Sequence, residues 1–271
     1  MSDEIEPGGA PLPAGGDDSA EAGGRGPRPW RRARAFLKEY AIVVLGVLTA
    51  LAGQAVVEDM DWHGRVADAE HDLKAELTAN AKFAFERLVT ARCATEQIGA
   101  IRQTLIDNRD KGIPVPPTRH FHRSFRPWLT DSWDSARSLQ LTGHIPTARL
   151  QAYSRAYADA EAFKEQQGQE GNLLPGVDTL ADNAGKISGA ERDRLFLAVR
   201  ALESQSNVLD LYAYRYLEAI SAFDISLDPT VRAKIVTEAQ ASFGACARDP
   251  SPWLGHDQTA LRWLITRKGE P

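Results

Sequence analysis

Two cysteines and one closely spaced histidine pair are the residues of this chain best suited to chemistry. Cys93 and Cys246 are the only cysteines in 271 residues. In an exported domain they can pair, and the bridge would close a loop of about 150 residues. Chain-entropy arithmetic then allows it roughly 4–5 kcal/mol, less any strain. The other reading is two buried reduced thiols acting as small apolar side chains. Spacing alone decides nothing between them, although export favours the bridge.

The histidines His120 and His122 stand in "RHFHRSF", a pattern that binds metal on a strand or loop. Arg119 and Arg123 beside them oppose a cation, and neither Cys nor carboxylate is near enough in sequence to complete a ligand set. Asp68 and His71 lie three apart, but the paired Glu-x-x-His motifs of di-iron bundles are missing. No metal or cofactor is expected. Gly-x-Ser-x-Gly elbows, Walker loops, dinucleotide fingerprints and His-Glu-x-x-His are also absent. No enzyme is therefore expected, and catalytic groups in an inter-helical pocket are the alternative.

The most aromatic-rich stretch holds Arg126, Trp128, Trp133 and Arg137, followed by Tyr153 and Tyr157. These residues suit a docking surface between helices. Helical spacing favours the plainer assignment, in which the rings form the core and the arginines stay outside.

Whatever positions these groups depends first on residues 40–57, eighteen in a row without a charge. As a helix they reach roughly 27 Å, enough for the hydrocarbon core of a bilayer. Arg25, Arg28, Arg31, Arg32, Arg34 and Lys38 precede the run, and Glu58, Asp59 and Asp61 follow it. The positive-inside rule places the N-terminus in the cytoplasm and the rest outside, with the lipid bilayer as first partner. Trp62 suits the far interface. Ala50-Leu51-Ala52 and Gly53-Gln54-Ala55 also look like cleavage sites, so a cleaved, soluble exported protein is the alternative. Gly46, Ala50 and Gly53 make one smooth helix face, through which a homodimer can pack.

Residues 1–34 are Gly-, Pro- and acid-rich with a basic end, and disorder is expected there. After a transmembrane helix over 35–58, residues 59–248 show helical periodicity almost throughout. Trp62, Val66, Ala69, Leu73, Leu77, Ala84 and Leu88 form one row and Phe85, Val89 and Cys93 a second, on a stalk helix ending near "NRDKGIPVPP". Thr130 or Asp131 opens a short helix that Gly143 should end, and Pro146 opens another that "GQEGNLLPG" should break. Ser188 and Glu191 have capping-box spacing before a helix of about 35 residues, with Leu195, Val199, Leu202, Leu209, Tyr216, Ile220 and Phe223 inward. Asp228-Pro229 begins the last long helix, and a tail with a short helix occupies 249–271. The fold class is all-α, an antiparallel bundle continuing from the membrane helix. A net charge of −5 argues against nucleic acid as a partner.

"FLKEYAIVVLGVLTALAGQAVVED", the charged helix carrying Asn80, and "WDSARSLQLTGHIPTARLQAYSRAY" resemble a widespread group of uncharacterised bacterial membrane-anchored proteins. These share a Glu-Tyr/Phe-(apolar)-Gly-Val-Leu-x-Ala-Leu span and a Trp-x-x-Ala…Gly…Leu…Tyr helical segment. The resemblance covers about residues 36–160, more weakly the region of Cys246. It implies a single-pass membrane protein and no known activity. The localisation expected from the charge asymmetry is the bacterial inner membrane, with the C-terminal domain periplasmic. Binding of a protein partner or ligand is the expected function.

Overall fold

The computed structural model describes residues 29–116, 121, 123, 125–182, 185 and 187–254. The expectations for the N-terminal tail before residue 29, for His120 and His122, and for a short helix after residue 254 lie outside them. The chain divides into two units, Met1–Val57 and Glu58–Pro271. Among the described residues the fold is all-α, with helices α1 (Pro29–Val89), α2 (Ala91–Lys111), α3 (Asp131–Ser138), α4 (Thr147–Asp182), α5 (Gly189–Ile220) and α6 (Pro229–Phe243).

In the first unit, α1 is apolar on every side over residues 40–57, and exposed. Phe36, Leu37, Ile42, Val43, Leu45, Leu48, Leu51 and Val57 are all more than half exposed. The hydroxyl of Thr49 donates to the carbonyls of Leu45 and Gly46, which removes its need for water. This is the single helix among the described residues long and apolar enough to cross a membrane.

In the second unit the remainder of α1 changes character, and its apolar residues narrow to inward stripes. Leu73, Leu77, Ala84 and Leu88 are buried in the main core, whereas Phe85, Val89 and Cys93 belong to a separate cluster with α6. The stalk is not one helix. It breaks at Thr90, whose hydroxyl turns back to the carbonyls of Glu86 and Arg87. The Val89 carbonyl accepts instead from the Arg248 N–H at 3.1 Å. At its far end α2 stops at Gly112, where a φ of 64° favours glycine and the N–H closes on Asn108.

From Arg123 the described residues return along α1 as a strap, in steadily descending register. Arg126 pairs with Glu86, Leu129 with Asn80, and the Ser132 N–H with Glu76. His144 finally stacks on Trp62 at 3.9 Å. Asn80 is wholly buried, and its amide both donates to the Leu129 carbonyl (2.7 Å) and accepts from its N–H (2.9 Å). Such an amide clamp fixes backbone that no helix or sheet would satisfy. Because the strap restores the chain to its starting end, α4 runs parallel to α1. The Tyr157 hydroxyl meets the Leu73 carbonyl early in α4, and Glu170 meets Arg87 later. α5 then returns antiparallel, with Tyr216 at Leu77 and Asp210 at Arg87.

Three local expectations are corrected. α4 does not break at "GQEGNLLPG" but continues through Pro175 to Asp182. Glu170 lies in the core, and Val177 and Leu180 join a second cluster with α2 and α5, so packing overrides the local cost of Gly and Pro. α3 ends at Ser138 rather than Gly143, the chain turning at Gln140 with φ 59°. The stalk breaks at Thr90, as described. Both later caps form where their spacing predicts: Ser188 accepts from the Glu191 N–H and Asp228 from the Thr230 N–H.

Candidate functional site

The middle of the bundle is ionic. Arg87 comes from α1, Glu170 from α4, Ser206 and Asp210 from α5, and Arg123 from the strap. The charged side chains are between 1% and 5% exposed. Arg87 Nε donates to Asp210 Oδ1 at 2.6 Å, while Nη1 and Nη2 grip both oxygens of Glu170 at 2.7 and 2.8 Å. Arg123 Nη2 donates to the same Asp210 Oδ1 (2.9 Å) and to Ser206 Oγ (2.8 Å). Two cations and two anions cancel, which lets the group sit in a low-dielectric interior.

The two arginines are not equivalent. Burial opposes the charge of Arg87, but Asp210 and Glu170 outweigh it and hold its pKa above the ordinary value. Burial and then the charge of Arg87 push Arg123 down to about 10, and the same carboxylates offset this only in part. Arg123 Nε and Asp210 Oδ2 are buried without a hydrogen bond to the protein. Burial alone would raise Glu170, but the bonds from Arg87 hold it below the usual carboxylate value. Ser206 Oγ accepts from both guanidinium groups. Ser206 also hydrogen-bonds the Glu170 carboxylate, which helps to hold that carboxyl ionised. The cluster locks three helices and the strap together.

Beside it, Tyr157 and Tyr216 spend their hydroxyls on the Leu73 and Leu77 carbonyls, one helical turn apart on α1. Burial raises both phenols above their ordinary pKa and keeps them protonated. The indoles are part of this interior. Trp128 stacks on Phe163 at 4.1 Å and meets Tyr216 edge-on, and Trp133 stacks on Tyr157 at 5.1 Å. The docking surface of Arg126, Trp128, Trp133 and Arg137 is therefore corrected. The two indoles are only 4% and 8% exposed, because the strap presses them into the core. Arg126 and Arg137 stay at the surface, beside Glu86 and Asp134.

Cys93 and Cys246 are joined in a disulfide, with Cα atoms 5.0 Å apart. Gly244 makes this possible: at φ 84° it reverses the chain after α6, so that Cys246 returns to the first helices. Gly46 and Gly53 have nothing within 4 Å of where a Cβ would stand, so this face is open in the single chain.

The second unit carries several clefts, two of them of similar size. One of about 550 Å³ lies between α1 and α3, rimmed by Arg65, Asp68, Asp72 and Asp131 over Ala69, Ala136 and Leu141. The other, about 590 Å³, lies between α2 and α5 beside Gly99, and Arg102 there holds Glu203 with two hydrogen bonds. Among the described residues no three His, Cys, Asp or Glu side chains converge on a metal-sized site.

The ion cluster escaped sequence reasoning, yet it left a trace. Asp210 continues the inward row from Leu202 through Ser206, and Arg87 lies between Ala84 and Ala91 in an inward row that passes from α1 into α2. A charge inside an apolar stripe asks for an opposite charge elsewhere. The sequence does not say which one, and Glu170 was hidden in a stretch read as a helix break. No family model, curated protein or solved structure matches this chain.

Proposed function

We propose that the chain is a single-pass protein of the bacterial inner membrane, N-terminus in the cytoplasm, whose periplasmic helical domain binds a protein partner. The observation carrying this reading is the exposed, all-round apolar segment of α1 ending at Val57, between basic and acidic flanks. A core helix of a soluble protein would bury such a surface. The disulfide supports export, since such bonds persist in oxidising compartments. The α1–α3 cleft, where Asp68, Asp72 and Asp131 outnumber the single cation Arg65, is the surface that suits a basic partner segment.

The test is alkaline washing of membranes from cells making a C-terminally tagged chain, followed by intact mass and protease treatment of spheroplasts. Full-length protein in the washed pellet, digested from outside, is expected. A soluble species beginning near Gly53 or Val56 would establish cleavage instead, and full-length protein in the cytosol would overturn the topology. A photo-crosslinking residue at Ser135 is expected to give a defined adduct in cells. Equal adduct formation from position 234 on α6 would remove the claim of the cleft.

A further inference from the structure

The helices are not equally held. α5 buries ten residues, whereas α6 buries only Ala239, with Ile235, Val236 and Phe243 half-buried. The hydrogen bonds of α6 and the residues after it close largely among themselves. Gln240 reaches the Ala247 carbonyl, Arg232 reaches Ser251, and the Gly244 N–H returns to Gln240. Outward, the segment is tied by the Arg248 N–H to the Val89 carbonyl and by the bond from Cys246 to Cys93, while the charge of Glu238 acts on Arg126 and Ile235, Val236 and Phe243 pack on the cluster of Phe85 and Val89. Beneath it lies an apolar stripe, Phe85, Val89 and Cys93, at most 7% exposed. Before it the chain bends at Asp224, in a left-handed conformation with φ 56°.

We propose that α6 and the following residues to Leu254 form a hinged cover latched by the Cys93–Cys246 bond, and that reduction opens the cover while the core of α1, α2, α4 and α5 stays folded. The argument is one of local stability. A layer with few buried apolar contacts opens at a free energy well below that of global unfolding, unless a cross-link removes the entropy gained on opening. Cys246 is the more exposed of the two cysteines. A dithiol reductant attacks there, forming a mixed disulfide and expelling Cys93 as thiolate, and its second thiol resolves that intermediate. Two electrons pass from the dithiol to the bridge, and the two cysteines take up two protons. Opening exposes the stripe on both sides of the α1–α2 break.

The experiment is hydrogen-exchange mass spectrometry on the full chain in detergent micelles, before and after dithiothreitol and again after reoxidation. Exchange across 229–254 is expected to rise about a hundredfold and to reverse on reoxidation. Rates across 153–163 and 195–220 are expected to stay unchanged. Unaltered protection of α6 would show that packing alone holds it and would overturn the latch. An equal rise in the core would show that the bond holds the whole fold, which equally ends the proposal. The C93S/C246S double variant gives a second reading. If it folds with α6 protected as in the oxidised chain, the proposal fails; if it does not fold, the dithiothreitol result on the native chain decides.

Discussion

Helix α1 carries two sequences with opposite solutions to the same problem. Over residues 40–57 it is apolar all round and exposed. From Glu58 onward the apolar residues narrow to stripes, which the strap, α4, α5 and α6 cover. In the first part the hydroxyl of Thr49 is satisfied by carbonyls of its own helix. The second brings a charge, Arg87, into the interior and surrounds it with partners. Both obey one rule, that polar groups removed from water must be paired. Only the second requires distant residues to do so.

That contrast can be broken most forcefully at Arg87. Arg87→Leu leaves Glu170 and Asp210 facing each other with Arg123 alone, and should cost about 4 kcal/mol in denaturant unfolding. Arg123→Leu should cost clearly less, because its charge is already disfavoured by burial and by Arg87. Equal losses would show that the two arginines share the carboxylates evenly. Acid probes the same cluster. The pKa of Glu170 is depressed in the fold, so its contribution is complete above its unfolded value near 4.5 and disappears as pH falls through the lower folded value. Melting temperature should therefore hold between neutrality and that value, then drop, and the Glu170→Gln variant should show a shallower drop.

The exposed part of the helix responds to a charge differently. Leu48→Arg should cost about 3 kcal/mol of insertion and shift protein out of the alkaline-washed membrane pellet. The same change in a soluble, exposed helix would be almost silent, so an unchanged distribution would refute the bilayer assignment. Smallest is Asn80→Ala, which orphans the Leu129 backbone and should cost about 2 kcal/mol. Its checkable signature is local: exchange at Leu129 should accelerate before that of α5.

Much of this arrangement was written in local pattern. The uncharged run, the inward rows from Leu195 to Phe223, and the caps at Ser188 and Asp228 all depend on residues within a few positions of one another. Helical period and capping act over one or two turns, and they are legible without a fold. The candidate site was legible only in fragments. The cysteine pair was one of two open readings, the aromatic stretch was read as surface or core, and the ion cluster was not foreseen.

By itself, the sequence determined the helical class, the apolar segment and the faces that turn inward. Tertiary structure decided the rest. It turned α4 parallel to α1 by a strap, carried α4 through Pro175, sank Trp128 and Trp133, and joined Arg87 to Glu170 across 83 residues. The physical reason is that periodicity marks a residue as buried without naming its neighbour. A buried charge, an indole or a thiol takes its role from the partner that packing brings, and that partner lies far away in the chain.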